Sequence, residues 1–496
     1  MRLNYKIIFH LMGLLILCNG GFMVLAAVIS GIYKDGVTID IALAAVVTMI
    51  VGTLAMFLTR SHEKEVGRKE GYIIVTFGWL IMSISGVLPY IFSGAIPDLT
   101  NAFFETISGY TTTGASILDD IEVLPEGILF WRSLTHWIGG MGIIVLAIAI
   151  LPLLGIGGMQ LFAAEAPGPA GDKLHPRITD TAKRLWLIYF GYTVAETILL
   201  KLAGMSFFDA INHSLATLST GGFSTKNLSV AYWNDQPLIQ YIIMLFMFLA
   251  GTNFVLSYYA FKGKVQKVLH DEEFKFYSIF VISFTIIAAL VIFFKANVET
   301  SDYHPMVFGE AESAFRHSLF QVLSVITTTG FVSADFTSWT PFLTIFFFGL
   351  MFLGGCAGST AGGIKVMRHL LIIKNGLLEF KRTLHVNAVI PVRYNNKTVR
   401  EHIVYNIIAF FVLYMLLFII GSLVLGALGL DFTSAIGGAA SSLGNVGPAL
   451  GTLNPLSNFN SLPALGKWWC GFLMLLGRLE LFTVLILFTP YFWKKM

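Results

Sequence analysis

From Ile7 to Tyr33 the chain carries no charged residue, and similar apolar runs recur at short intervals to its end. A run of that length is long enough to cross a bilayer as a helix. In lipid every backbone N–H and C=O must be paired within the chain, which confines spanning segments to regular structure. Charged residues make up only 12% of the 496, against about 25% in soluble domains, so the chain falls in the membrane class. The opening run exceeds a signal-peptide core and reads as a retained span. Cys18, Cys356 and Cys470 lie in apolar stretches without metal-ligand spacing and read as small buried hydrophobes.

The expected fold is all-α, with ten spans. An N-terminal pair (7–30 and 38–59) occupies residues 1–69. Four units follow, at 70–172, 173–267, 268–385 and 386–496. Each unit holds an apolar helix, a short amphipathic stretch ending in a Gly- or Thr-rich loop, and a second apolar helix. The paired helices are expected at 71–93 and 128–154, 183–204 and 236–261, 275–295 and 340–373, and 402–429 and 467–493. Of these only 340–373 is expected to be interrupted.

Basic residues fall in alternate connections. Arg2 and Lys6 precede the first span, and Arg60, Lys64, Arg68 and Lys69 follow the second. Further clusters are Lys173–Arg184, Lys262–Lys267, Arg368–Arg400 and Lys494–Lys495. The positive-inside rule places them, and both termini, in the cytoplasm. The opposite face carries Asp119, Asp120, Glu122 and Glu126 after the first loop, and Glu299, Asp302, Glu310 and Glu312 before the third. An acidic mouth would concentrate cations; equally, such loops simply lack Lys and Arg. No basic block with interleaved aromatics supports nucleic-acid binding.

The four loops form an internal repeat. They read Tyr110-Thr-Thr-Thr-Gly114, Leu218-Ser-Thr-Gly-Gly222, Ile326-Thr-Thr-Thr-Gly330 and Leu443-Gly-Asn-Val-Gly447. The last glycines are spaced 108, 108 and 117 residues apart, and six residues before each stands Ser108, Ala216, Ser324 or Ser441. One TTTG is a turn; four in one context are a design. Irregular backbone at membrane depth is tolerated where it lines a watery path. A short helix ending mid-membrane offers its negative dipole end to a cation. Extended backbone beyond it can present carbonyl oxygens that replace an ion's hydration shell. Glycine permits the backbone angles such a ring needs, and the threonines can add hydroxyl oxygens.

This pattern resembles the Trk/Ktr/HKT superfamily of cation transporters over nearly the whole chain. The two extra N-terminal spans and the stretch Gln160 to Lys183 resemble its bacterial TrkH/TrkI branch. The resemblance implies a potassium filter of Thr111, Thr112, Thr113 and Gly114; Ser219, Thr220, Gly221 and Gly222; Thr327, Thr328, Thr329 and Gly330; and Gly444, Asn445, Val446 and Gly447. The fourth loop departs most, at Asn445 and Val446. In the family, serine at the first ring glycine accompanies sodium permeation, so four glycines imply potassium as the transported ion. The resemblance also implies a homodimer in the bacterial inner membrane and a cytoplasmic nucleotide-binding regulatory ring; the chain itself carries no nucleotide motif.

The second helix of the third unit contains Gly354, Gly355, Gly358, Gly362 and Gly363 with Ser359 and Thr360, and ends at Lys365. Each glycine costs a helix about 1 kcal/mol relative to alanine. A close-packing face of small residues is one account; a loop beneath the filter is the preferred one, and it resembles the family's gating loop. Arg478 lies inside the last span, where a charge costs roughly 2.5–3.5 kcal/mol. Glu480 is two residues on and off its helix face. The family's arginine at this place is a barrier to cations, a role the resemblance carries to Arg478. Glu196 and Lys201 are expected to pair structurally with another helix, and His136, His213 and His317 to be satisfied core histidines. Gly155–Gly158 follows a helix rather than a strand, so it lacks the context for dinucleotide binding. The rival functions are a potassium symporter driven by protons or sodium, which would place ionisable groups near the ion path, and a membrane enzyme, which would need a clustered catalytic set.

Overall fold

The computed structural model describes residues 3–60, 66–140, 178–295 and 307–494, and all of its long elements are helices. The N-terminal pair is α1 (Tyr5–Tyr33) and α2 (Thr38–Leu58). The first unit holds α3 (Arg68–Gly86), α4 (Leu88–Phe92), α5 (Leu99–Tyr110) and α6 (Glu126–Gly140). The second holds α7 (Ile178–Leu202), α8 (Phe207–Leu218), α9 (Pro237–Ala250), α10 (Phe254–Phe261) and the short α11 (Val265–His270). The third holds α12 (Glu272–Lys295), α13 (Glu310–Ile326), α14 (Pro341–Leu350) and α15 (Val366–Leu384). The fourth holds α16 (Glu401–Ala427), α17 (Phe432–Gly444) and α18 (Ala464–Arg478), then two single turns, Phe482–Leu485 and Pro490–Trp493. A two-residue hairpin, Arg393–Tyr394 with Lys397–Thr398, interrupts the all-α pattern. Its turn residues Asn395 and Asn396 both take positive φ, as a tight hairpin turn requires.

Among the described residues six helices are long and apolar enough to cross a membrane, or eight if each bent pair is one span. The chain is a multi-pass membrane protein. The remaining two of the ten expected segments are accounted for differently. The helix expected at 128–154 runs as α6 to Gly140 and then leaves the described residues, and that at 340–373 is α14, a break, and α15.

One expectation needs correction. The helices at 236–261 and 467–493 were expected to be continuous, and both are broken. α9 and α10 meet at 106°, and α18 and the turn beginning at Phe482 meet at 109°. At the first break Asn253 caps α10 by accepting from Val255 N–H at 2.8 Å. At the second, Glu480 and Leu481 both adopt φ of +55°. Such conformations cost about 1–3 kcal/mol each for residues other than glycine and persist where surrounding structure enforces them.

The N-terminal pair packs against the first unit. Asn19 of α1 accepts a hydrogen bond from Tyr110 Oη at 2.6 Å and donates to Ser85 Oγ at 2.9 Å. It thereby fixes the end of α5. The short helices α5, α8 and α17 start on side-chain caps from Asp98, Ser206 and Asp431, which occupy otherwise unpaired N–H groups.

Candidate functional site

Four short helices, α5, α8, α13 and α17, end directly at the four loops, and all four ends share one backbone. The residue two before each ring glycine is left-handed: Thr112 (φ 52°), Thr220 (55°), Thr328 (54°) and Asn445 (53°). The residue just before the glycine donates its N–H to the carbonyl five residues back. These bonds are Thr113 to Ser108 (2.9 Å), Gly221 to Ala216 (2.9 Å), Thr329 to Ser324 (2.8 Å) and Val446 to Ser441 (3.0 Å). A second bond joins Thr112 to Gly109, Thr220 to Thr217, Thr328 to Val325 and Asn445 to Ser442. This pair of bonds around a left-handed residue is the Schellman helix end. It explains the four small residues six before each glycine, since the loop folds back over their carbonyls. Three threonines tolerate a conformation that asparagine takes more readily. The fourth loop, the most divergent in sequence, therefore carries the least strained residue at this point.

The ring glycines follow with φ of +80° (Gly114), +77° (Gly222), +76° (Gly330) and +97° (Gly447). A Cβ on each would fall closer than 3.0 Å to one carbonyl oxygen of the next loop: Gly221 O, Thr329 O, Val446 O and Thr113 O in turn. Following these approaches leads from the first loop to the second, third and fourth, and back to the first. The sixteen residues expected at the filter are thus brought together in one ring closed in chain order. Gly221 stands where Thr113 and Thr329 stand in their loops, because a Cβ there would overlap His136 Nδ1.

The ring is buried and rich in oxygen. Thr111 to Thr113, Ser219, Thr220, Thr327 to Thr329 and Asn445 are buried. Thr111 Oγ1 pairs with Thr113 Oγ1 at 2.8 Å and Thr327 Oγ1 with Thr329 Oγ1 at 2.7 Å. Thr112 Oγ1 and Asn445 Oδ1, equivalent in position, are buried oxygens without a hydrogen-bond partner among the described residues. The negative ends of four helix dipoles converge on the same place. Unspent acceptors and converging negative dipoles suit a cation, not an anion.

The segment 351–365 lies against this ring. Gly362 N–H donates to Thr328 Oγ1 at 2.6 Å, and a Cβ on Gly362 would meet Asn445 Cβ at 2.8 Å. The segment is bonded across itself, Gly354 N–H to Ile364 O at 2.9 Å, and Lys365 Nζ donates to Ala361 O. Gly358 and Gly363 take φ of +73° and +64°. Gly355 fits against Gly251 O, 2.8 Å from where its Cβ would lie. The break between α9 and α10 supplies partners, since Cys356 N–H donates to the freed Gly251 O at 2.8 Å. Glu273, buried in the first turn of α12, holds the middle of the segment and the start of α15 together: its Oε1 accepts from Ala357 N–H at 2.6 Å and Met367 N–H at 3.1 Å. Sequence reasoning missed Glu273 because its partners lie 84 and 94 residues away.

Arg478 reaches across this assembly. It donates to Thr360 O (2.8 Å), to Gly139 O (2.6 Å) and to Gly140 O (2.8 Å). It therefore ties the glycine-rich segment to the end of α6. Glu480 bonds instead to Arg368 of α15, as the helix-face argument against an Arg478–Glu480 pair requires. Glu196 is buried in α7, where its carboxylate faces Thr217 of α8, a contact with a neighbouring helix of the kind expected for it. Lys201 is exposed in the last turn of the same helix. His213 is satisfied on both nitrogens, and buried His136 accepts from Phe223 N–H at 3.4 Å and interacts with the Ser108 backbone. The cluster Gly155–Gly158 lies outside the described residues.

A family model described as TrkH, cation transport protein, matches residues 38–495. The Trk system potassium uptake protein TrkH of Escherichia coli strain K12 is 41% identical, with 99% of this chain and 100% of that protein covered. The Trk system protein TrkG of the same strain is 33% identical, with 99% of each covered. The crystal structure of the potassium transporter TrkH from Vibrio parahaemolyticus matches with a TM-score of 0.87 at 36% identity, covering 99% of this chain and 100% of that one.

Proposed function

This chain belongs to the TrkH family of cation transport proteins, and from that premise we propose that it is the potassium-conducting subunit of a bacterial uptake system. The family is one of transporters, not enzymes. Potassium enters from the acidic face, exchanges water for the carbonyl and hydroxyl oxygens of the four loops, and passes toward the cytoplasm. The observation that supports this most is the closure of the ring: each of Gly114, Gly222, Gly330 and Gly447 abuts a carbonyl of the next loop, in chain order. Carbonyls so arranged can replace a hydration shell. Segment 354–364, Lys365 and Arg478 form the gate beneath it. The protein lies in the inner membrane as a homodimer with both termini cytoplasmic, regulated by a cytoplasmic nucleotide-binding ring. The family likeness and the distribution of basic residues support that placement.

The test is isotope flux in proteoliposomes containing this chain alone. Downhill rubidium or potassium uptake, set by the potassium gradient and indifferent to an imposed proton gradient, is the expected result. Uptake only when a proton or sodium gradient is applied would replace the pore with a symporter. Glu196 favours that second reading, since a buried carboxylate with no ion-pair partner among the described residues is the kind of group that carries a proton. If coupling were found, Glu196→Gln should abolish it.

The gate reading makes a further prediction. Glu273→Ala removes the acceptor for two backbone N–H groups, each worth about 1–3 kcal/mol when left buried and unmet. Basal uptake is expected to rise and the Tm of the detergent-solubilised protein to fall. Glu273→Gln keeps one carbonyl oxygen and should show a smaller change in both. Equal uptake in Glu273→Ala and parent protein would remove Glu273 from the gate.

A further inference from the structure

The ring is supported from outside by residues at matching positions of the repeat. Nine residues before each ring glycine stand Glu105, His213, Gln321 and Gly438. Two residues after the glycine stand Ser116, Ser224, Val332 and Ala449, with Ser333 one further on. In the first loop Ser116 Oγ donates to Glu105 at 3.0 Å and accepts from Leu118 N–H at 3.2 Å. In the second, Ser224 Oγ accepts from Lys226 N–H at 3.0 Å and lies 2.9 Å from His213 Nε2. His213 Nδ1 faces the Asp209 carbonyl at 2.8 Å. A carbonyl only accepts, so Nδ1 carries the proton and Nε2 accepts from the serine. In the third, Gln321 Nε2 donates to Ser333 Oγ at 3.4 Å, with His317 Nδ1 at 3.1 Å. A carboxylate, an imidazole and an amide at equivalent positions thus brace a serine beyond each ring glycine, two residues on in the first two loops and three in the third, and all three are buried.

The backbone carbonyls of the same serines are tied to the preceding unit. Ser116 O accepts from Phe459 N–H at 2.8 Å. Ser224 O accepts from Arg132 Nη1 at 2.9 Å, and Arg132 Nε donates to Glu105 at 2.6 Å. Ser333 O accepts from Asn234 Nδ2 at 3.0 Å, and Asn234 is held in turn by Gln240. Arg132 and Gln240 both lie eighteen residues beyond their ring glycines, where the other two units carry Phe348 and Leu465. The arrangement fails at one seam. Gly438 and Ala449 offer no polar side chain, and between the third and fourth units lies an open groove of about 500 Å³ whose lining includes Trp339, Thr340, Phe348, Phe432, Thr433 and Leu450.

We propose that the struts Glu105–Ser116, His213–Ser224 and Gln321–Ser333, the first two linked through Arg132 and the third tied to the second unit through Asn234, are positioning elements that set cation selectivity by holding the outer ends of the first three filter loops. The inference rests on the reading of the four loops as a filter. It leaves the seam between the third and fourth units as the compliant side, which is also the side that carries the broken segment 351–365.

The test uses the whole chain in proteoliposomes, with sodium competing against rubidium uptake. Ser224→Ala and Ser116→Ala each remove one hydroxyl without leaving a buried charge. Each is expected to lower the rubidium-over-sodium preference about fivefold, the scale of one lost hydrogen bond. Ser224→Thr, which restores the hydroxyl, should recover most of that loss, a recovery that general destabilisation would not give. Unchanged selectivity in both alanine variants, alongside altered selectivity in Gly222→Ser, overturns the struts and leaves the filter standing. Unchanged selectivity in all three overturns the filter reading itself.

Discussion

Gly114→Ser is expected to lower the preference for potassium over sodium by at least about tenfold, the effect of ~1.4 kcal/mol in relative ion stabilisation. Two causes add. Gly114 sits at φ +80°, where a residue with a Cβ is disfavoured by roughly 1–2 kcal/mol. The new Cβ would also overlap Gly221 O, a carbonyl of the neighbouring loop. The chain can relieve the overlap only by moving one loop away from the next, which opens the ring where spacing discriminates between ions. The effect should be graded. At Gly447 the corresponding distance, to Thr113 O, is 2.6 Å and less severe than at the other three. Gly447→Ser should therefore lose less selectivity than Gly114→Ser, Gly222→Ser or Gly330→Ser. Sodium competition against rubidium uptake measures all four. A well-expressed Gly114→Ser protein with parental selectivity would mean that discrimination does not take place at this ring.

The ring was readable because repetition carries information that a single motif lacks. Glycines 114, 222, 330 and 447 stand out by spacing and context. Their backbone was not readable. Thr112, Thr220 and Thr328 occupy a left-handed conformation that local preference argues against, and only the assembled ring holds them there. The broken helices divide in the same way. At 251–253, a glycine with a capping asparagine two residues on is a stop-and-start signal that the sequence itself carries. At 479–481, Leu-Glu-Leu gives no local sign, and the break depends on contacts made elsewhere, among them Arg368 with Glu480. Glu105–Arg132 and Glu273 were invisible for a simpler reason: their partners are set by packing, and no period in one sequence reports it.

The breaks also change the view of asymmetry. Sequence alone assigned one broken helix to the third unit, whereas the second and fourth are bent at breaks of their own. Breaking a helix beside the ring frees carbonyls, and the assembly uses them. Gly251 O and Ala250 O accept from Cys356 N–H and Thr360 Oγ1 of the glycine-rich segment. The third unit differs in the length of its break, not in having one.

Arg478→Ala is expected to raise downhill potassium uptake by about tenfold or more, since charge-assisted hydrogen bonds are worth about 1.5–3 kcal/mol each and three are lost. In the parent protein the guanidinium binds Thr360 O on one side and Gly139 O and Gly140 O on the other. It can act in two ways: as a positive charge that repels the ion, or as a tie that holds the glycine-rich segment against the first unit. Arg478→Lys separates them. Lysine keeps the charge, but as a single ammonium it lacks the planar fork that serves three carbonyls at once. If repulsion dominates, Arg478→Lys stays near the parent rate. If the tie dominates, it approaches Arg478→Ala. The geometry favours the tie, because the guanidinium donates to backbone carbonyls on two different elements, Thr360 on one side and Gly139 and Gly140 on the other. Arg478→Lys is accordingly expected to conduct at more than half the rate of Arg478→Ala. Flux at the parental level in Arg478→Ala would show that neither the charge nor the tie limits conduction.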